Sequence, residues 1–238
     1  MCGITGFIDF NKNSSLPTLK NMTEALVHRG PDDTGYEVYD SPSALIGFGQ
    51  RRLSILDLSP LGHQPMHFGD LIVNYNGEIY NFKEIRKELE EKGYQFQSWS
   101  DTEVILKGYH CWGWDVLQKF VGMFAMAFYD RRQEKVYFVR DRAGVKPFYY
   151  YSHNEILLFG SELKALYQHP SFRKDIDVNS VALFLQYSYI PAPHTVFHNT
   201  YKLLPGHILS IDLKTKNQET RKYWDVFDYY NKPMLDIS

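Results

Sequence analysis

Four strand-like segments follow one another at short, even intervals in the second half of the chain. They are MFAMAFYD (123–130), KVYFVRD (135–141), FYYYS (148–152) and EILLFG (155–160). Turns this short leave no room for the crossover that a parallel pair needs, so the strands must run mainly antiparallel. ITGFIDF (4–10), LIVNYNGEIY (71–80), and YEVYD and ALIGFG around a Ser-Pro turn add further strands, and GHILSIDL with TRKYW closes as a hairpin. In LIVNYNGEIY the dipeptide Asn76-Gly77 is expected to make a turn.

Helical signals fall between the strand groups. Leu16, Leu19, Met22 and Leu26 recur at near-helical spacing. Asn81 with Glu84 resembles a capping box, opening a helix that Gly93 ends. Asp101 to Tyr109 has an acidic first turn, which suits the helix dipole. ELKALYQ and SVALFLQYSY also read as helices, and IPAPHTVFHNTYKLLPG as a long irregular loop. Helices covering two antiparallel sheets is the natural layering, so the fold class is α+β. With 18 Tyr, 16 Phe and 44% hydrophobic residues, there is ample apolar material for a large core.

Lys plus Arg is 26 against 28 Asp plus Glu, with no basic face or acidic tail, so no nucleic acid or membrane partner is expected. No signal peptide is visible, and two isolated cysteines do not suggest a disulfide framework, so a cytoplasmic setting is expected. Cys111 reads as a packed thiol on the helix after SDTEV. There is no GxxxxGK[ST] loop and no GxSxG elbow, and Gly47-Phe48-Gly49 lacks the third glycine of a dinucleotide fingerprint. Pro65 separates His63 from His67, and His194 and His198 lie in the irregular loop. No metal site is therefore expected.

Alone, Cys2 reads as a small buried hydrophobe. The strings MCG, HRGPDD (28–33), RRLSI (51–55), NYNGE (74–78) and SDTE (100–103) together suggest chemistry. Removal of Met1 would give Cys2 a free α-amine with a pKa near 8, so nucleophile and base share one residue. Asn76 and Gly77 offer amide donors for an oxyanion. An arginine and two acids are what recognition of an α-amino acid requires.

These strings, with YNGEIYN, GMFAMAFYD, RDRAGVKPFYY, FGSELKAL, YIPAP and KLLPGH, resemble the glutaminase domain of asparagine synthetase-like enzymes, class II glutamine amidotransferases. The resemblance implies an αββα sandwich, the N-terminal nucleophile hydrolase fold, over residues 2–215. Residues 216–238 would begin a linker toward an absent ATP-dependent synthetase domain.

It also implies that Cys2 attacks the side-chain amide of L-glutamine, forming a thioester, with Asn76 and Gly77 as oxyanion hole. Arg52 would bind the α-carboxylate (Arg51 is the second candidate), Glu78 and Asp101 the α-ammonium, and backbone groups around Leu53 and Ile55 line the pocket. Arg29 would organise the loop over Cys2. The glutaminase domain implies no cofactor; ATP and Mg belong to the synthetase domain, which is expected either in a longer chain or as a separate protein. Ammonia would pass to that partner for asparagine or another amide. A homodimer is also among the expectations, though no sequence feature carries it. The alternative is a glutaminase-like domain that binds or regulates with little turnover.

Overall fold

The computed structural model describes residues 2–230. Its strands are β1 (Gly3–Asp9), β2 (Asp33–Asp40), β3 (Leu45–Arg52), β4 (Met66–Phe68), β5 (Leu71–Ile79), β6 (Gly122–Asp130), β7 (Lys135–Arg140), β8 (Tyr149–His153), β9 (Ile156–Gly160), β10 (Thr200–Lys202), β11 (His207–Asp212) and β12 (Gln218–Lys222). The helices are α1 (Leu16–Glu24), α2 (Phe82–Glu91), α3 (Asp101–Trp112), α4 (Val116–Lys119), α5 (Leu163–Leu166), α6 (Val178–Tyr187) and α7 (Phe227–Tyr230). The strands sort into two six-stranded sheets, ordered β10-β8-β9-β1-β3-β2 and β12-β11-β7-β6-β5-β4, with every neighbouring pair antiparallel.

Side-chain alternation explains the layering, because residues two apart in a strand share a face. On β1, Ile4 and Ile8 enter one core cluster with Ile46, Phe48, Ile72, Ala127 and Phe138, which lies between the sheets. Phe7, on the other face, joins Leu19, Met22 and Leu26 of the α1 segment and Leu166 of α5. On β5, Leu71, Val73 and Tyr75 meet Ile85 and Leu89 of α2 and Val104, Ile105 and Leu106 of α3. Three apolar layers separate four structural layers, the αββα sandwich expected from the sequence.

Three local expectations are corrected. Asn76-Gly77 lies inside β5, not in a turn, because the strand runs on to Ile79 and pairs with β6 throughout. Asn81 does not cap α2 through its side chain. Instead its Nδ2 donates to Lys119 O at 2.9 Å and its Oδ1 accepts from Val121 N at 2.9 Å, clamping the entry to β6. The hairpin expected of GHILSIDL and TRKYW forms, with β12 paired to β11 and Ile208 opposite Arg221. The helix in ELKALYQ is only the four residues of α5, whereas α6 matches its expected segment.

Opposite the end that carries Cys2, Asp9 Oδ2 accepts from Ser14 N and Ser14 Oγ, both at 2.6 Å, and Ser14 Oγ lies 2.9 Å from His169 Nε2. His169 Nδ1 accepts from Ser171 N at 3.2 Å, so Nε2 carries the proton and the ring is neutral. Burial holds its pKa down to about 4, against the opposing pull of Asp9. Below about pH 6.5 the unfolded chain binds a proton that the folded ring refuses. This contribution to stability is therefore complete above pH 6.5 and is lost progressively toward pH 4, up to roughly 3 kcal/mol. Urea unfolding across this range should show that loss, and His169→Gln should flatten it.

Candidate functional site

At one end of the sandwich the two inner faces run out of apolar side chains. Beyond Ile46 and Phe48 on β3 come Gln50 and Arg52, and beyond Ile72 on β5 come Asn74 and Asn76. Asn74 Nδ2 donates across the sheets to Gly49 O at 2.8 Å, and Gln50 Nε2 donates back to Tyr75 O at 2.9 Å. One pleat further on, Asn76 and Arg52 line a cavity of about 260 Å³ with Cys2, which precedes β1. That volume suits a small molecule rather than a macromolecule.

The cavity also takes in Leu53, Ile55, Gly77, Glu78 and Asp101, so every site residue expected from the sequence lies on its wall. Cys2 Sγ donates to Leu53 O at 3.6 Å and sits 3.4 Å from Leu53 N, so the residue after β3 brackets the thiol. Arg29 Nε donates to Cys2 O at 2.9 Å while its Nη1 pairs with Glu162 at 2.9 Å, which ties the start of β1 to the α5 entry. Asp32 accepts from Ser54 N at 2.8 Å, linking HRGPDD to RRLSI. Arg51 points elsewhere and pairs with Glu24 of α1. Arg52, on the cavity side, gives Nη2 to Leu56 O (2.9 Å) and Asp57 O (2.7 Å).

Among the described residues, two amide N–H donors on this wall have no acceptor. Asn76 Nδ2 is buried and unpartnered. The second follows from strand alternation. Tyr80 N bonds Val121 O across the β5–β6 pair, while Phe124 directs its N–H and C=O toward Asp141 on the β7 side. Gly77 opposite Phe124 is therefore in a non-hydrogen-bonded pair, and its N–H points off the free edge of β5. Its neighbours on that edge are satisfied: Tyr75 N by Gln64 Oε1 at 2.7 Å and Ile79 N by Asp101 Oδ2 at 2.9 Å. Only glycine fits there, since a Cβ would lie 2.4 Å from Met123 O.

The acids are strongly perturbed. Asp101, at the first turn of α3, accepts from Tyr75 Oη at 2.7 Å as well as from Ile79 N, and its burial still raises its pKa. Burial first, and then the Asp101 charge, push Glu78 up to about 7, with Lys146 pulling it down. Sequence reasoning gave Lys146 no role, although it lies in the quoted RDRAGVKP string. It is buried on the cavity wall, and desolvation lowers its pKa, as does Arg29, against Cys2, Asp141 and Glu78. Asp141 shapes its turn by accepting from Ala143, Val145 and Lys146 N–H groups at 2.9–3.1 Å. Gln64, Ser100, Thr102 and Met123 were also missed, because only tertiary folding brings them to the wall. His63 and His67, four apart in sequence, pair separately with Asp33 and Glu37 at 2.8 Å each. Met1, whose removal would free the Cys2 amine, lies outside the described residues.

A thiol, two amide donors, an arginine and two acids thus surround one small cavity. Residues 1–224 match the glutamine amidotransferase domain family, and the chain belongs to that family. It is 37% identical to asparagine synthetase [glutamine-hydrolyzing] 3 of Bacillus subtilis over 96% of this chain and 38% of that protein. A Methanocaldococcus jannaschii protein, provisionally named asparagine synthetase [glutamine-hydrolyzing] 2, is 38% identical over 99% of this chain and 48% of its own length. The chain thus spans between about a third and a half of these relatives. Glutamine phosphoribosylpyrophosphate amidotransferase from B. subtilis superposes with a TM-score of 0.66 at 17% identity, covering 94% of this chain and 49% of that one, a likeness of fold. The family and the sandwich implied by the sequence resemblance are both borne out.

Tyr75→Phe removes the hydroxyl donor on the Asp101 carboxylate. Thermal or urea unfolding should register a loss of about 1–3 kcal/mol, the usual cost of leaving a buried acceptor without its donor.

Proposed function

We propose that this domain hydrolyses the side-chain amide of L-glutamine to glutamate and ammonia. The observation that carries the proposal is the pair of unsatisfied donors, Asn76 Nδ2 and Gly77 N–H, facing the same cavity as the Cys2 thiol. A buried amide donor without an acceptor costs free energy in the resting protein, and a developing oxyanion would repay it.

In the proposed reaction the Cys2 α-amine, free once Met1 is removed, takes the thiol proton. The sulfur attacks the carboxamide carbon, and the carbonyl electrons move to an oxyanion held by Asn76 and Gly77. Collapse re-forms the carbonyl and expels the nitrogen, which takes the proton back from the amine and leaves as ammonia. Water then adds to the glutamyl thioester, and the sulfur leaves with a proton to regenerate Cys2. Arg52 would bind the α-carboxylate through Nε and Nη1, because its Nη2 already serves two carbonyls. Glu78 and Asp101 would receive the α-ammonium. The ammonia would serve an ATP-dependent amidation of the asparagine synthetase type, carried by the synthetase portion of the longer relatives. Among the described residues no helix is long and apolar enough to cross a membrane.

Glutamine hydrolysis by the processed chain tests the proposal. Cys2→Ala should abolish it, and Asn76→Ala should lower kcat by roughly 10²–10³, the usual cost of one oxyanion donor. Undiminished hydrolysis by Cys2→Ala would sink the assignment.

The electrostatics give a second test. Glu78 must be ionised to hold an ammonium and titrates near 7, so KM for glutamine should rise as pH falls below about 7. Lys146→Met removes the cation that favours the Glu78 carboxylate, so the KM inflection should move to higher pH. KM measured from pH 5.5 to 8.5, flat in both proteins, would refute this role for Glu78.

A further inference from the structure

Helix α6 has its polarity inverted for an isolated globule. Ser180 is its one buried residue, while Val178 is 75% and Leu185 78% exposed, with Phe184 and Tyr187 also in solvent. From Val178 through Tyr201 the sequence has no Asp, Glu, Lys or Arg, in a chain that is 23% charged. Free surfaces normally intersperse charges. Loss of charge combined with aromatic enrichment marks the buried centre of an interface, and large exposed apolar patches mark interaction sites.

The position of α6 narrows the partner. Asp177 N donates to Val196 O and His198 N to Asp175 O, both at 2.9 Å, while the Lys202 ammonium holds Ile190 O. These bonds tie the start of α6 to the loop before β10 and the segment after α6 to β10 itself. Lys202 faces Tyr149, Tyr149 faces Gly160 and Gly160 faces Thr5, so this strand lies three strand spacings from β1, roughly 14 Å. By the same register β10 lies level with Phe7 to Thr5, the middle of β1, with Lys202, which holds Ile190 O, on the side toward Cys2. Ile55, Leu58, Tyr80, Trp99, Val121 and Val145 are exposed too, in segments at the Cys2 end of the two sheets. Exposed apolar side chains thus occur both on α6 and in the segments beside the cavity.

Three facts choose the occupant. The curated relatives are about two to three times longer than the part this chain covers. Ammonia released into water is diluted, so a consumer docked on this domain would receive it at a higher local concentration. A peripheral membrane helix would carry Lys or Arg on its polar face, and α6 has neither.

We propose that α6 and the uncharged segment that follows it form the docking face for the ammonia-consuming synthetase portion of the longer relatives. The inference rests on the glutaminase function proposed above for the identity of the partner, though not for the existence of the interface.

The test is a chimera in which this chain replaces the matching portion of B. subtilis asparagine synthetase 3. Hydrogen exchange of residues 178–190 should be at least about tenfold slower in the chimera than in the 238-residue chain alone. Phe184→Glu with Leu185→Glu should cut glutamine-dependent amide formation at least about tenfold by lowering the local ammonia supply. Glutamine hydrolysis and amide formation from added ammonia should be unchanged, which also reports that both portions remain folded.

Equal exchange in the two proteins, or unaltered coupling in the double variant, overturns the proposal. So does a dimer of the lone chain, seen by sedimentation velocity, that Leu185→Glu dissociates, since the face would then belong to a second copy. Binding of the lone chain to phosphatidylcholine–phosphatidylglycerol vesicles, lost in Leu185→Glu, would assign it to a bilayer. Failure of the lone chain to hydrolyse glutamine counts against the glutaminase proposal and leaves the exchange result standing by itself.

Discussion

The relative setting of the two sheets depends on a reciprocal pair of hydrogen bonds across an otherwise apolar layer. Asn74 reaches from β5 to Gly49 O, and Gln50 reaches from β3 to Tyr75 O. Apolar packing between sheets is non-directional and tolerates sliding, whereas these buried amides have defined partners and are costly to unpair. They fix which part of β5 lies over which part of β3. That register places Asn76 and Gly77 beside the thiol that precedes β1, and all of the proposed chemistry inherits it.

Around the cavity, charge is balanced across elements distant in sequence. Burial raises the cost of ionising both acids, and the Asp101 charge raises it further for Glu78. Lys146 supplies the opposing charge from a turn whose shape Asp141 sets through three local backbone N–H groups and Phe124 N. Asp141 thus links the cation's turn to the strand opposite Gly77. An isolated motif would not reveal this coupling, because no local interval in the sequence contains all its members.

The sequence made most of the strands legible, since alternation and short turns are local signals. It misplaced Asn76-Gly77 because a dipeptide that favours turns also suits a strand edge whose N–H must stay free. It misread Asn81 because a side chain that can cap a helix can equally clamp a neighbouring chain, and only the position of Lys119–Val121 decides between them. It could not separate Arg51 from Arg52 by residue type; strand alternation sends one to Glu24 and the other to the cavity.

Residue types, their order and the resemblance they carry determined the family, the two-sheet fold and the identity of the candidate thiol, amides, arginine and acids. Tertiary structure decided the rest: which arginine faces the cavity, the buried cation that opposes the acids, and the exposure of an uncharged apolar helix. Periodicity and turn chemistry act over a few residues and survive in one dimension. Desolvation, the approach of charges and the burial of a helix face depend on what the folded chain brings alongside, and they appear only in three.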